Sequence, residues 1–221
     1  MKKQRWSNEE FYNPFGPNIL QLKLDEDLRL DLLNLVKNHS KTELKESNII
    51  RIGVHDRSKK IDEDILNVQN NTVTKGIWGS MDDSWLQTKG TLIQTTIENL
   101  LCRYTTQFYK RSLNVRSHIH DIWYVIMKAG DFHVLHSHRA LLSGAIYLEV
   151  PDSLPYPQGA IVWNLGGGEK ALYNNTLMHS PTAGDVFLWP GWLQHMVYPF
   201  KQENANRTMI SFNGKTDIEV T

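Results

Sequence analysis

Gly130-Asp131-Phe132-His133-Val134-Leu135-His136-Ser137-His138 places two histidines at i and i+2 in an extended, apolar-flanked run. Side chains alternate along a strand, so His136 and His138 share a face and can grip one ion, whereas His133 falls on the opposite face of a regular strand. A third ligand must come from elsewhere. Trp189-Pro190-Gly191-Trp192-Leu193-Gln194-His195 supplies one within another strand-like run, and Arg207 opens a third run where a guanidinium can fix an anion beside the metal.

Working outward, short strands and turns fill the chain beyond residue 115. The pattern predicts strands at 122–128, 132–138, 143–150, 160–165, 176–179, 185–189, 194–199 and 207–212. Eight strands at such spacing predict a barrel or a double-sheet jelly roll. The Pro- and Gly-dense stretch from Pro151 to Gly159 reads as a loop between two of them. Gly166-Gly167-Gly168 is a second break; a phosphate cradle would need a following helix N-terminus and a lysine in register, and neither is evident.

Before residue 115, helical periodicity marks 25–38, with Leu28, Leu32, Leu35 and Val36 on one stripe, and 91–111, with Leu92, Ile93, Ile97, Leu100, Leu101, Tyr104 and Phe108. Both stripes suit packing on a sheet. The polar stretch 40–87 carries short β-like pieces without a definite assignment. We read one domain, 1–221, with 1–115 as helical or irregular support and 116–221 as the jelly-roll core.

Composition narrows the function. Lys+Arg and Asp+Glu balance at 24 each, so no overall field draws the protein to nucleic acid or an anionic membrane. No apolar run approaches membrane-spanning length, and the basic start Met1 to Trp6 precedes no apolar segment. Cys102 is the single cysteine, cannot form an intramolecular disulfide, and reads as a buried thiol. The expectation is a cytoplasmic protein without nucleic-acid or membrane partners.

Seven of nine histidines lie from His118 onward, the clustering a metal-lined pocket requires. His118-Ile119-His120 repeats the pairing, but its polar flanks fit a solvated strand face better. His179, before Ser180-Pro181, reads as a strand-end residue. His136, His138 and His195 are the stronger set, and with Arg207 they point to a non-haem iron oxygenase.

The segment Trp123 to Asn213 resembles the 2-oxoglutarate and Fe(II)-dependent dioxygenases, within them the prolyl-hydroxylase-like group. Gly130 matches a glycine at fixed distance before the metal pair. His136 matches the first ligand, His138 the position of the acidic ligand, and His195 the distal ligand. Tyr147, in Ser143-Gly144-Ala145-Ile146-Tyr147-Leu148, matches a tyrosine that helps bind the co-substrate, and Arg207 the arginine that pairs with its far carboxylate. His138 departs from the family's H-x-D pattern and is similar to a subgroup with H-x-H, a Ser-Gly-x-x-Tyr strand and a closing Ser-x-Asn, here Ser211-Phe212-Asn213.

The resemblance implies an α+β, mainly β fold with a double-stranded β-helix (cupin-like jelly-roll) core and N-terminal supporting helices. It implies Fe(II) and 2-oxoglutarate, with Arg207, Tyr147, Ser211 and Asn213 toward the co-substrate, and hydroxylation with release of succinate and CO2. The iron site reads as three histidines, or as one drawing a carboxylate from Asp131 or Asp185, or as a site that binds metal without turnover. Trp163 and Asn164 are candidates for the substrate edge; Trp123, Trp189 and Trp192 can wall the pocket, with sheet core an equal reading for Trp123 and Trp189. The partners expected are O2 and a small-molecule or peptide substrate, with the N-terminal half available for a homodimer surface. Two other classes compete: a cupin-type three-histidine dioxygenase that does not use 2-oxoglutarate, and a non-catalytic metal-binding jelly-roll module.

Overall fold

Alternation along the strands sorts this chain into two cores, and the computed structural model shows both. It describes residues 6–12, 16–43, 77–81, 86–87, 89–110, 113–166 and 175–218. Eleven strands are described: β1 (Trp6–Tyr12), β2 (Ile19–Leu24), β3 (Ile77–Ser80), β4 (Val115–Met127), β5 (His133–His136), β6 (Leu142–Glu149), β7 (Ile161–Asn164), β8 (Thr176–His179), β9 (Asp185–Pro190), β10 (Gln194–Val197) and β11 (Arg207–Ile218). The helices are α1 (Glu26–Glu43) and α2 (Thr91–Tyr109).

A seven-stranded sheet runs in the order β1-β2-β9-β6-β11-β4-β3, and a four-stranded sheet in the order β5-β10-β7-β8. All pairings are antiparallel. This is the expected jelly-roll architecture, with helices applied to the larger sheet.

One face of the larger sheet carries Ile122, Tyr124, Leu142, Ile146, Leu148, Val186, Leu188, Ile210 and Phe212. They form a core with Leu28, Leu32 and Val36 of α1 and Ile93, Ile97, Leu100 and Leu101 of α2. The i, i+4 spacing in each helix makes the apolar stripe. Asp25 caps α1, its Oδ1 accepting from the Asp27 N–H at 3.1 Å. The opposite face carries Val125, Met127, Ala145, Tyr147, Phe187, Trp189 and Met209, which meet Ile161, Trp163 and Val197 of the smaller sheet. The functional candidates belong to this second core, between the sheets.

Two differences from the sequence reading have identifiable causes. The N-terminal half, read as helices and irregular support, also supplies β1, β2 and β3 to the larger sheet. β2 alternates Leu20, Leu22 and Leu24 with Gln21 and Lys23, a period of two that lasts only six residues and runs straight into the helical stripe of α1. β4 starts at Val115 and absorbs His118 and His120, because the long β11 continues pairing to Ile218 past a bulge at Asn213/Gly214. Gly167, Gly168 and most of the 40–87 stretch lie outside the described residues.

Candidate metal centre

His136 ends β5, His195 sits in β10, and the two are cross-strand partners. His138 lies beyond the end of β5 rather than in the predicted strand 132–138. Its N–H donates to Gly191 O at 2.8 Å and the Gly191 N–H donates to Leu141 O at 3.1 Å, which holds the segment after β5 against the β9–β10 turn. A side chain at Gly191 would lie 2.3 Å from Ala140 O, so only glycine permits this approach.

The three imidazoles converge. One nitrogen from each of His136, His138 and His195 lies within 4.8 Å of the others, and among the described residues the cluster contains no carboxylate. Ring centroids are 4.3 Å apart for His136 and His195, and 5.1 Å from His138 to each. His136 Nδ1 lies 2.7 Å from Val134 O, and His195 Nδ1 lies 3.0 Å from Leu193 O. A carbonyl can only accept, so Nδ1 carries the hydrogen in both rings and Nε2 presents a lone pair. This is the arrangement that orients a metal-ligating histidine. Burial lowers the pKa of His136, and lowers that of His195 further with help from the neighbouring imidazoles. Neutral, convergent nitrogens suit a divalent metal.

The alternative carboxylates are occupied. Asp131 Oδ2 accepts from Lys128 N–H at 2.8 Å. Asp185 accepts from the Thr182 N–H and hydroxyl and pairs with Lys23 at 3.0 Å. Neither joins the imidazole cluster.

Arg207, first residue of β11, is wholly buried between the sheets. Among the described residues its Nη1 hydrogen-bonds to the thioethers of Met127 and Met209, at 3.1 and 3.4 Å, which are weak acceptors. Among the described residues its Nε and Nη2 have no hydrogen-bond partner, nor do the buried Tyr147 hydroxyl and the indole N–H groups of Trp163 and Trp189. The guanidinium carbon stands 4.7 Å from the Tyr147 ring centroid. Ring contacts then run from Tyr147 to Phe187, Trp163, Trp189 and His195, with centroid separations of 4.9 to 5.9 Å. Burial disfavours the charge, lowering the Arg207 pKa and raising that of Tyr147. A buried cation amid unsatisfied donors is costly unless an anion completes it. The donor set therefore fits a small carboxylate reaching toward the metal.

Ser211 and Asn213 follow Arg207 on the same face of β11. The Asn213 amide oxygen accepts from Ser143 Oγ at 2.7 Å, and its nitrogen reaches Asp121 Oδ2 at 3.5 Å. Trp163 is buried opposite His195, but alternation turns Asn164 away, and its side chain bonds Gly166 N–H and Thr176 Oγ1 across a turn. Trp123 packs on His138 at 5.6 Å and Trp189 on His195, so both wall the centre; Trp192 is 56 % exposed. His118 pairs with Asp217 at 2.9 Å on the distant part of β4, and His179 packs on Phe187.

The residue the sequence reading missed is His133. β10 steps two residues from His195 to Val197 while β5 steps three from His136 to His133, a bulge that brings His133 to the face of His136. It is 5 % exposed, its ring 6.0 Å from that of His136. No sequence signal distinguishes that bulge from a regular strand.

Residues 121–213 match the sequence profile of the family described as "Putative 2OG-Fe(II) oxygenase". No curated protein matches the chain in sequence. In fold it is similar to a Pseudomonas putida prolyl-4-hydroxylase (16% identity, 96% of this chain and 93% of that one, TM-score 0.54). A Trichoplax adhaerens prolyl hydroxylase, solved with a hypoxia-inducible-factor peptide, is similar too (14%, 94% and 83%, 0.58). So is the viral collagen prolyl hydroxylase of Paramecium Bursaria Chlorella virus-1, solved with 2-oxoglutarate (12%, 94% and 96%, 0.51). Residues 121–213, which hold the histidine cluster and most of the jelly-roll core, thus match a family of 2-oxoglutarate- and Fe(II)-dependent oxygenases.

Proposed function

We propose that this oxygenase hydroxylates a C–H bond of a peptide or small molecule. Oxidative decarboxylation of 2-oxoglutarate accompanies it: substrate, 2-oxoglutarate and O2 give hydroxylated substrate, succinate and CO2, one atom of O2 going to the substrate hydroxyl and the other to succinate, while CO2 leaves as the C1 carboxylate of 2-oxoglutarate. When bound, iron and 2-oxoglutarate supply the oxidising chemistry. The protein's residues bind, orient and exclude water. His136, His138 and His195 hold Fe(II). Arg207 and Tyr147 receive the far carboxylate of 2-oxoglutarate, the guanidinium as a permanent charge and the phenol as a further donor. Ser211 and Asn213 follow on the same face of β11, Ser211 opposite Trp123 and Asn213 accepting from Ser143, and continue the co-substrate site from Arg207. Trp123, Trp163 and Trp189 keep the interior dry.

The observation that carries this reading is Arg207. A wholly buried guanidinium with Nε and Nη2 unpartnered among the described residues calls for an anion. Charge agrees: three neutral ligands leave a divalent metal uncompensated, and with Arg207 the cavity holds three positive charges against the two of a dianion. A cupin-type site shares the three-imidazole donor set but leaves Arg207 without a role. Leu141 and Trp192, each more than half exposed, flank the segments bearing His138 and His195 and give the approach an apolar rim suited to a peptide or small molecule. No described helix is long and apolar enough to cross a membrane.

The test is succinate formation by the Fe(II)-loaded protein under air with [1-14C]2-oxoglutarate, following CO2 and succinate with peptide and small-molecule pools. The reading expects both products in equal amounts, stimulated by substrate and abolished in Arg207→Ala. Oxygen consumption without either product supports the cupin-type reading instead.

A further inference from the structure

We infer that His133 is a positioning residue for the co-substrate, a third member of the clamp formed by Arg207 and Tyr147, donating its ring N–H to the bound carboxylate. This rests on the 2-oxoglutarate reading above. The bulge in β5 is the first ground: pairing of His195 with His136 and of Val197 with His133 places both β5 histidines on the interior face, against the alternation of a regular strand. Location is the second. Val197, its cross-strand partner, belongs to the inter-sheet core that contains Tyr147, Met127 and Met209, and the latter two cradle Arg207 through their sulfur atoms. The His133 ring stands 6.0 Å from that of His136, so the residue adjoins the metal cluster, and its partner Val197 belongs to the core that surrounds Arg207. Burial holds the His133 pKa well below the ordinary value, and the neighbouring His136, Arg207 and His138 lower it further.

Chemistry is the third ground. At this 5 % exposed position an imidazole places a donor and an acceptor on the interior face of β5, where an apolar side chain would offer neither. Arg207 Nε and Nη2 and the Tyr147 hydroxyl already form a donor array with no partner among the described residues. A carboxylate has about four lone-pair sites and accepts from several donors at once, so an imidazole N–H on its flank adds direction as well as affinity.

The experiment is anaerobic calorimetric titration of the Fe(II)-loaded protein with 2-oxoglutarate, for wild type, Arg207→Ala, His133→Phe and His133→Gln, with iron content and unliganded melting measured for each. His133→Phe keeps the ring and removes the donor; His133→Gln keeps a donor. The expected result is about tenfold weaker 2-oxoglutarate binding for His133→Phe with full iron content, and recovery to within about threefold for His133→Gln. If His133→Phe does not fold, His133→Leu takes its place. Wild-type affinity in the apolar variant, or equal loss in both variants, overturns the role of His133 while leaving Arg207 in place. Absence of binding by wild type overturns the 2-oxoglutarate reading and the role of His133 with it.

Discussion

His138 Nε2 and His195 Nε2 lie 3.3 Å apart although 57 residues separate them in sequence. His195 Nδ1 donates to Leu193 O, so its Nε2 presents a lone pair; His138 Nε2 meets it as an N–H donor in the metal-free protein and as a second lone pair when both share a cation. His138→Ala should therefore bind Fe(II) at least roughly a hundredfold more weakly, beyond what losing an outer-shell partner costs. Full iron stoichiometry in that variant at micromolar metal would remove His138 from the ligand set.

Gly191 and Gly144 provide a matched pair. At Gly191 a methyl group meets Ala140 O, pushing apart the segments that bring His138 and His195 together. At Gly144 it meets the Phe212 ring at 2.2 Å, on the helix side of the larger sheet. Gly191→Ala should lose iron affinity by tenfold or more, whereas Gly144→Ala should lose about 1–3 kcal/mol of stability with the folded fraction binding iron normally. Melting curves and iron titrations distinguish the two; equal iron affinity in Gly191→Ala and wild type contradicts the hinge-point role of Gly191.

Arg207 should cost stability in the unliganded protein. Among the described residues its buried charge hydrogen-bonds to thioethers at Nη1, so Arg207→Met should stabilise the unliganded protein by about 1–4 kcal/mol, at about 2–4 °C in Tm for each kcal/mol. The same variant should lose the stabilisation that 2-oxoglutarate gives wild type. Arg207→Lys should retain iron and need far more 2-oxoglutarate. A lower Tm in Arg207→Met, unaltered by ligand in either protein, speaks against the anion site.

Acid should weaken the metal-free protein through its buried histidines. Burial depresses the folded-state pKa of His133, His136 and His195 below the ordinary 6.5. The unfolded chain then binds protons that the folded chain refuses. Their contribution is complete above about pH 6.5 and is lost as pH falls toward the folded values, by up to about 1.4 kcal/mol per pH unit for each histidine. Tm measured from pH 7.5 to 5.5 should fall steeply, and less so in His133→Phe. A flat profile would mean these rings are not buried neutral.

The strands beyond residue 115 were legible because alternation and turn residues mark them, and His136, His138, His195, Tyr147 and Arg207 stood out by spacing and family pattern. His133 did not, because a single extra residue in β5 reverses its face and leaves no mark on composition. Asn164 was read toward the substrate from its place beside Trp163, yet alternation and the turn at Gly166 commit its side chain elsewhere. β2 joins the body of the larger sheet only through β9, where Leu20 meets Leu188 and Leu22 meets Val186 from far along the chain. Each miss concerns information held in pairing rather than in local sequence.

The most direct test of the account is anaerobic addition of 2-oxoglutarate to the Fe(II)-loaded protein, watching for the visible metal-to-ligand charge-transfer absorption of the chelate, with Arg207→Ala in parallel. The account predicts the band in wild type and a much higher 2-oxoglutarate concentration for half-saturation in the variant. Bound iron without a band in wild type, at any 2-oxoglutarate concentration, would contradict it.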